Sequence, residues 1–300
     1  MTDATIVIPT HRHAAVLPVA LRSALNQQGG SVEVFVVGDG VEDDTRAALA
    51  PFRTDSRVRF FDFPKGERHG ERHRHEALQE AGGEIICYLS DDDLLLPGHL
   101  EEMQRLLDHA DFAHSVPMGV LPGGELRYGP ADLARPEFLS LLVEGRNNFI
   151  GLTGAAHTRS TYERLPHGWR PAPASEKTDL HMWQQIIALP GFRGATATRL
   201  TALHFPDPWW RSVEPAQRAV ELEAWLARAL RPGAEAELEE LLELAVRRAA
   251  QDFKLRSIER KEALRQATAE LELLRLPIWR RGLRRAIRFR LVRALRSRLR

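Results

Sequence analysis

The chain has 300 residues, of which 43% are hydrophobic and 28% charged, and its formal net charge is +1. A chain of this length can bury a sizeable core, so we expect two domains or one large domain with an appendage. The single cysteine, Cys87, excludes a disulfide framework within the chain and lies in an apolar run that predicts its burial. Because the sequence shows no leader and no apolar run of roughly 20 residues, we expect a cytoplasmic protein.

The first third of the sequence alternates short apolar runs with helix-like segments. Four runs rich in β-branched and aromatic residues predict strands: Ala4 to Pro9, Val32 to Gly40, Val58 to Pro64 and Glu84 to Ser90. This alternation predicts a parallel sheet covered by helices on both faces. Ligands bind such sheets beyond the carboxyl ends of the strands, and the polar motifs PTHRH, GDGVEDD and SDDD follow the first, second and fourth strands. The sequence therefore predicts one site at this edge.

Beyond the first third, the sequence is irregular before it becomes helical. Residues 178–192 predict a helix with an acidic start, and residues 195–205 predict a further strand. From about Pro215 the pattern is helical throughout, and apolar residues recur at helical spacing at Leu238, Leu241, Leu242, Ala245 and Ala249.

Three adjacent carboxylates, Asp91 to Asp93, directly follow the fourth predicted strand. Like charges repel, so the triplet is unfavourable unless a cation compensates it, and hard divalent metals prefer oxygen ligands. The alternative is an ordinary acidic turn that caps the helix after Pro97. The triplet alone leaves both interpretations open.

The end of the sequence, residues 278–300, carries ten arginines and no acidic residue, with an aliphatic residue at every fourth position. This pattern predicts a basic amphipathic helix, which suits an anionic membrane surface and a peripheral position at the inner face of the membrane. The alternative is a solvated arginine face on a helix that docks on the body of the protein or pairs two chains as a homodimer. We expect no nucleic-acid partner, because the stripe lacks aromatic residues that stack on bases.

Several blocks in order resemble a known family: VIPTHRHAAVLPVALRSALNQ, EVFVVGDGVEDDT and RHRHEALQEAGGEIICYLSDDDLLLPGHLE are similar to the nucleotide-binding half of family 2 glycosyltransferases. The similarity is dense to about Leu100 and traceable to about Phe205. It implies the α/β GT-A fold, a Rossmann-like, mostly parallel sheet flanked by helices, with a C-terminal helical extension. The implied parts are a nucleotide-sugar-binding half (1–112), an acceptor-binding half (113–212) and the helical extension (213–300).

The resemblance implies donor-binding roles for residues that follow the strands. In the family, the turn after the first strand cradles the base, and here it contains Pro9, Thr10, His11, Arg12 and His13. Asp39 matches an Asp that contacts the base or ribose, and Asp91 is expected beside the ribose. Gly38 and Ser90 stand where the family usually has Asp. Three arginines suit charge-assisted contacts to phosphate: Arg68, Arg72 and Arg74.

The resemblance also implies a metal site and a general base. Asp92 matches the metal-contacting carboxylate of the family and Asp93 is expected to support it, with His204 completing a Mn²⁺ or Mg²⁺ site. The alternative for His204 is a packed structural histidine. The motif EKTDLHMW matches a family motif that supplies the base, so Asp179 is the expected base and Glu176 the reserve. The alternative for Asp179 is a helix cap.

Together these matches imply an inverting glycosyltransferase of the hexosyltransferase type. It would take a nucleotide-sugar donor, stabilise the leaving diphosphate with a divalent ion, and use a glycan, a lipid-linked or another hydroxyl acceptor in polysaccharide biosynthesis. Two alternatives stay open. A sugar-nucleotidyltransferase would need a glycine-rich phosphate loop, which PTHRHAAVL lacks, and a non-catalytic scaffold would bind through the arginine-rich tail.

Overall fold

The computed structural model describes residues 2–116 and 118–274. It divides into two compact units, one up to Val246 and one from Arg247 onward, and the described part of the second unit is helical. Every site discussed below lies in the first unit. The predicted basic helix at 278–300 lies outside the described residues.

The strands of the described residues are short after the first three. They are β1 (Ala4–Thr10), β2 (Val32–Asp39), β3 (Val58–Phe63), β4 (Ile85–Tyr88), β5 (Leu94–Leu95), β6 (Phe112–His114), β7 (Met118–Val120), β8 (Leu126–Tyr128), β9 (Ala155–Thr158), β10 (Gly194–Thr196) and β11 (Ala202–Leu203). The first four confirm the four strands predicted from the first third of the sequence.

The helices are α1 (Leu17–Leu25), α2 (Asp43–Leu49), α3 (Glu71–Leu78), α4 (His99–Leu107), α5 (Pro136–Val143), α6 (Arg159–Glu163), α7 (Thr178–Ile187), α8 (Asp207–Trp210), α9 (Pro215–Ala229) and α10 (Ala234–Leu274). The helix predicted within 178–192 and the helical pattern after Pro215 are both confirmed. None of these described helices combines the length and apolar character that a membrane span requires.

Seven strands form one sheet in the order β10-β6-β9-β4-β1-β2-β3. Only β9 runs antiparallel to its neighbours in this sheet, and all other adjacent strands are parallel. The carboxyl ends of β1, β2 and β4 therefore meet at one edge, as the sequence predicts. Because β9 runs the other way, its start lies at this same edge and brings the loop before it close to the turn after β4.

Alternating residues of the strands supply the two faces of the core. In β2, Val34 and Val36 pack on one face, with α1, α4 and α9, whereas Phe35 and Val37 pack on the other, with α3 and α7. Cys87 is buried on the first of these faces, and burial raises the pKa of its thiol to about 12. Both faces of the sheet are thus covered, which explains why its strands are almost continuously apolar.

The sequence predicts a single strand at 195–205. This prediction is wrong, because the segment forms two separate strands in different sheets. β10 pairs with β6 at the edge of the large sheet, and β11 pairs antiparallel with β5, directly after the acidic triplet. The chain leaves the large sheet between them. This crossing brings His204 and Phe205 to the turn after β4.

Candidate active site

A cavity of about 580 Å³ opens at the carboxyl ends of β1, β2 and β4. Ten of the residues assigned a role from the sequence line it: Pro9, Thr10, His11, Arg12, His13, Asp39, Arg68, Arg74, Asp91 and Asp179. They come from five separate regions of the chain. The predicted convergence of the polar strand ends is therefore present, and it includes the expected base.

Asp39, at the end of β2, organises the loop that follows β3. Its two carboxylate oxygens accept hydrogen bonds from Lys65 Nζ and from the backbone N–H of Gly66, both at 2.6 Å. His11 Nδ1 lies 2.7 Å from the backbone carbonyl of Asp39. Asp39 thus ties the turn after β1 to the loop after β3, and a contact between its carboxylate and the donor stays a prediction.

Two glycines are required by the close packing around Asp39. At Gly38 a Cβ atom would lie 3.1 Å from the Phe60 ring and 3.2 Å from Val41, so the Asp found in the family at this position would not fit without movement. Gly70 precedes α3 with φ +68°, and a Cβ there would lie 2.9 Å from the side chain of Asp39. The departure at Gly38 therefore has a local packing reason.

Arg74 is buried at the floor of the cavity. Its guanidinium carbon lies 4.3 Å from the centre of the Trp169 ring, and Nη2 donates to the carbonyl of His69 at 2.5 Å. Its Nε is buried and has no hydrogen-bond partner among the described residues. Burial lowers the pKa of Arg74, an effect that the nearby charge of Asp179 opposes. Arg74 therefore places a positive charge at the wall of the cavity.

Arg72 does not line this cavity, although the sequence groups it with Arg74. Both residues lie on α3, where positions two apart point in nearly opposite directions. Arg72 is exposed and its nearest acidic partner is Glu76, at 3.8 Å. The phosphate-binding role predicted for Arg72 has no support from its position.

Each carboxylate of the acidic triplet has a cationic partner from a different part of the chain. Asp91 Oδ1 lies 2.7 Å from His13 Nδ1, and Asp92 Oδ2 accepts from Arg218 Nη2 at 2.7 Å. Asp93 Oδ2 lies 2.8 Å from His204 Nδ1. The repulsion within the triplet is therefore offset by the protein's own side chains.

Asp93 is fully buried and holds the turn together. Besides His204, its carboxylate accepts from the hydroxyl of Thr153 and, at 2.7 Å, from the backbone N–H of Phe205. The Thr153 hydroxyl also accepts from the backbone N–H of Ser90 at 3.0 Å. Both oxygens of Asp93 are occupied by protein donors, so a role for Asp93 as a direct metal ligand stays a prediction.

The surroundings of the acidic turn favour the protonated, cationic forms of His13 and His204. Burial opposes protonation of His204, but the charge and hydrogen bond of Asp93 outweigh it and raise the pKa of His204 to about 9. A hydrogen bond to Asp91 likewise raises the pKa of His13 to about 9. Burial, with the charges of Asp93 and Asp91, raises the pKa of Asp92.

Asp91 and Asp92 are suited to hold a divalent ion, and His13 can join them as a ligand only once it has lost its proton. One ligand atom from each of these three residues lies within 4.8 Å of the others. Each of the two carboxylates has a second oxygen that accepts no hydrogen bond from the described residues. Carboxylate oxygens with a free lone pair are the donor type that Mg²⁺ and Mn²⁺ prefer. The residues therefore fit such an ion, and Asp92 belongs to the set as predicted, whereas His13 was not foreseen as a member of it.

Asp179 is the carboxylate of the site that has no protein partner. It lies in the first turn of α7 and, within the described part of the chain, makes no hydrogen bond or ion pair. The helix begins after Lys177 without a side-chain cap, so the alternative interpretation of Asp179 as a helix cap is wrong. Burial raises the pKa of Asp179, against the opposing charges of Arg74 and His69. A carboxylate with a raised pKa and free oxygens can accept a proton.

Glu176, the reserve for the base, is exposed and already paired. Its Oε2 lies 2.8 Å from His181 Nδ1, and its backbone carbonyl accepts from Arg68 Nη2 at 3.3 Å. It does not line the 580 Å³ cavity. These contacts make Glu176 a weaker candidate than Asp179.

A second cavity of about 340 Å³ lies on the other side of the acidic turn. Thr153 and His204 form part of its wall, so it adjoins the buried carboxylate of Asp93. Trp209, which is 39% exposed, also lines it, with the guanidinium carbon of Arg127 5.2 Å from the ring centre. An exposed aromatic face beside a cation can bind a sugar ring or an anionic group.

Three site residues were missed by reasoning from the sequence: Lys65, Thr153 and Arg218. Lys65 directly follows β3, so the rule used for the other strand ends could have found it. His13 was expected in the turn that cradles the base, but its contact with Asp91 was not foreseen. Nothing in the helical pattern of α9 marks Arg218 as a residue that faces the site.

The sequence model described as "Glycosyl transferase family 2" matches residues 5–164, which is more than half of the chain. The matched segment contains the strand ends and the acidic triplet but stops before Asp179, His204 and Arg218.

Two curated relatives are similar over part of their length. One is the GalNAc(5)-diNAcBac-PP-undecaprenol beta-1,3-glucosyltransferase of Campylobacter jejuni, 27% identical over 38% of this chain and 37% of its own. The other is the succinoglycan biosynthesis protein ExoO of Rhizobium meliloti, 32% identical over 49% of this chain and 45% of its own. The chain thus spans less than half the length of either relative.

The fold is similar to that of Staphylococcus aureus TarS, residues 1–349, whose structure was solved in complex with UDP-GlcNAc. The TM-score is 0.54 at 15% identity, over 81% of this chain and 71% of the TarS chain. This structural similarity, at so low a sequence identity, concerns the fold alone. It confirms the predicted α/β GT-A architecture with its helical C-terminal region.

Proposed function

The chain belongs to glycosyl transferase family 2, and from this membership we propose that it transfers a sugar from a nucleotide-diphosphate donor to an acceptor hydroxyl, with inversion. The observation that carries the proposal is the position of Asp179. This unpaired carboxylate shares one cavity with the strand-end residues that face the donor in the resemblance, such as His11 and Asp91. Asp179 is only partly buried, and its oxygens accept no hydrogen bond from the described residues, so they are open to a substrate in this cavity.

The donor would lie against the ends of β1, β2 and β4. His11 and Arg12 offer a flat ring and a cation for the base, beside the ordered carboxylate of Asp39. Arg68 and Arg74 line the same cavity and would contact the diphosphate. The position of Arg74 supports this role, because a guanidinium that lines the cavity suits phosphate oxygens.

A Mn²⁺ or Mg²⁺ ion would be held by Asp91 and Asp92, with His13 adjacent. When bound, such an ion stabilises the negative charge that develops on the leaving diphosphate. Asp93 would support these residues indirectly, because its hydrogen bonds to Thr153, His204 and Phe205 fix the conformation of the turn.

The transfer step needs one proton acceptor on the acceptor side. Asp179 would take the proton of the attacking hydroxyl while the new bond forms between that oxygen and the anomeric carbon. The bond from the anomeric carbon to the diphosphate oxygen breaks at the same time, and its electron pair stays on the diphosphate. The raised pKa of Asp179 brings its proton affinity closer to that of the hydroxyl during transfer.

The acceptor would enter through the 340 Å³ cavity beside His204 and Trp209. The Campylobacter relative is named for an undecaprenol-diphosphate glycan, and Arg127 beside Trp209 would suit a sugar with a nearby phosphate. We therefore propose a lipid-linked glycan acceptor at the cytoplasmic face of a membrane. In this scheme residues 1–112 bind the donor, 113–212 bind the acceptor, and 213–300 are the extension that would reach the membrane.

A donor panel tests the proposal. The full chain with Mn²⁺ is incubated with UDP-, GDP-, CDP- and dTDP-sugars and an undecaprenyl-diphosphate glycan, and release of nucleoside diphosphate is measured together with the glycosylated product. We expect one class of donor to give product with inverted anomeric configuration. If a folded sample bound none of the donors in calorimetry, the glycosyltransferase assignment would be overturned.

A further inference from the structure

Two ion pairs of the acidic triplet reach beyond the segment matched by the family, and the one formed by Arg218 comes from the C-terminal helices. Arg218 lies on α9 and donates to Asp92 at 2.7 Å, although 126 residues separate them. The family match ends at residue 164. The carboxylate expected to contact the metal is therefore held by a cation from the C-terminal helices.

The surroundings of Arg218 fix its position. Leu222, Trp225 and Leu226 on the following turns of α9 are buried in the core, and Glu223 pairs with Arg22 of α1. The buried face of α9 thus anchors this helix to the core. Arg218 is presented to the turn by a packed helix, and not by a mobile loop.

The Arg218–Asp92 pair is shielded from water. The side chain of Arg218 is 10% exposed and that of Asp92 is 14% exposed. The Nε of Arg218 is buried and has no partner among the described residues. A shielded, charge-assisted hydrogen bond of this kind is stronger than a surface pair, and any second cation must compete with it.

We propose that Arg218 is a positioning residue that competes with the divalent ion for the carboxylate of Asp92. Arg218 stabilises the turn when no ion is bound, and it makes the protein's affinity for free metal weak. The guanidinium must move from Asp92 Oδ2, or share the carboxylate, for the ion to bind both Asp91 and Asp92. This inference rests on the metal site in the proposed function and adds the residue that controls its affinity.

Direct measurement of Mn²⁺ binding tests the inference without any donor or acceptor. Free Mn²⁺ is titrated into the full chain and followed by electron paramagnetic resonance at about pH 8, where the carboxylate ligands are ionised. We expect Arg218→Gln to bind Mn²⁺ about tenfold tighter than the unmodified protein, because one charge-assisted hydrogen bond no longer competes. Arg22→Gln, which removes a different ion pair of α9, should bind Mn²⁺ as the unmodified protein does.

The direction of the change separates competition from a purely structural role. A structural role predicts unchanged or weaker Mn²⁺ binding in Arg218→Gln, and either result would overturn the inference. Circular dichroism checks folding, and Arg218→Lys provides a second test if the Gln variant unfolds. Lys keeps the charge but loses the planar guanidinium, so its Mn²⁺ affinity should rise by a smaller factor.

The outcomes also separate this inference from the proposed function. Equal Mn²⁺ affinity in the unmodified protein and in both Arg218 variants would overturn the competition and leave the metal site intact. The absence of Mn²⁺ binding in every folded variant would overturn the metal site itself, and the competition with it.

Discussion

The acidic turn after β4 and the start of α7 both place carboxylates at the same edge of the sheet. The carboxylates of the two regions differ in whether they have partners within the protein. Asp91, Asp92 and Asp93 each have a cationic partner from elsewhere in the chain. Asp179 has no hydrogen bond or ion pair within the described residues, and burial raises its pKa. Paired carboxylates hold position and charge, whereas an unpaired carboxylate can accept a proton. From this difference we propose structural and electrostatic roles for the turn and a chemical role for Asp179.

The largest expected effect is on turnover. Replacing Asp179 with Asn removes the proton acceptor while keeping the shape of the side chain, so kcat should fall about 10³-fold. The free energy of unfolding should stay nearly the same, because the partly buried Asp179 makes no hydrogen bond or ion pair with the described residues that Asn would lose. Steady-state release of nucleoside diphosphate and urea unfolding measure the two quantities.

The matched control for this variant is Glu176→Gln, which changes the exposed carboxylate three residues earlier. Its turnover should stay within about threefold of the unmodified protein, because Glu176 pairs with His181 outside the cavity. A large loss in Glu176→Gln with little loss in Asp179→Asn would reverse the assignment of the base.

The opposite pattern is expected in the acidic turn, with a large effect on stability. Asp93→Asn exchanges an anion that accepts three hydrogen bonds for an amide that cannot accept all of them. The free energy of unfolding should fall by about 2–4 kcal/mol. Urea unfolding of the full chain measures this loss, and a stability equal to that of the unmodified protein would contradict the structural role of Asp93.

A moderate effect on donor binding is expected from the two arginines of α3. Arg74→Lys keeps the charge but loses the guanidinium that stacks on Trp169, so KM for the donor should rise about tenfold. Arg72→Lys should leave KM unchanged, because Arg72 is exposed and outside the cavity. Equal effects of the two substitutions would show that phosphate contact does not depend on the buried position.

The smallest effects concern pH, and they should differ between the two regions. As the proposed base, Asp179 would have to be ionised for activity, so kcat/KM should fall as the pH decreases through a midpoint above 3.8, the ordinary value for Asp. A pH–rate profile of the unmodified protein locates this midpoint. A midpoint at or below 3.8 in protein that stays folded would argue against a buried base.

Stability without metal should change at the other end of the pH range. Folding raises the pKa of His13 and His204 from 6.5 to about 9, so it favours their protonated forms. Their contribution is complete below about pH 6.5 and is lost as the pH rises through about 9. Urea unfolding at several pH values should show this decline, and the His13→Gln, His204→Gln double variant should show less of it.

The parts of the site that were predictable from the sequence are those set by strand order. Residues such as Pro9 and Asp91 follow apolar strands of a parallel sheet, so topology alone brings them together. Asp179 was assigned through the family resemblance, because a single Asp before a helix is otherwise typical of a cap. The structure removes that alternative, since the helix starts without a side-chain cap.

The unpredicted parts depend on packing between distant segments. Arg218 is one of several arginines in the C-terminal helices, and only the docking of α9 decides that it faces Asp92. The side chains of Arg72 and Arg74 point in different directions from α3. To predict which of them faces the cavity, one must know that the helix begins after Gly70. The division of residues 195–205 into two strands likewise follows from pairing with β6 and β5, which local pattern does not encode.

The partners of the acidic triplet have a consequence for the order of folding. They lie 78, 126, 111 and 60 residues away in sequence, at His13, Arg218, His204 and Thr153. Contacts between segments so far apart form slowly, because each closes a long loop. A partly folded chain with only β1, β2 and β4 assembled would carry two carboxylates, Asp92 and Asp93, whose partners Arg218 and His204 are not yet in place. Neutralisation of the turn therefore marks the end of the folding reaction, and intermediates should be more sensitive to salt than the native protein.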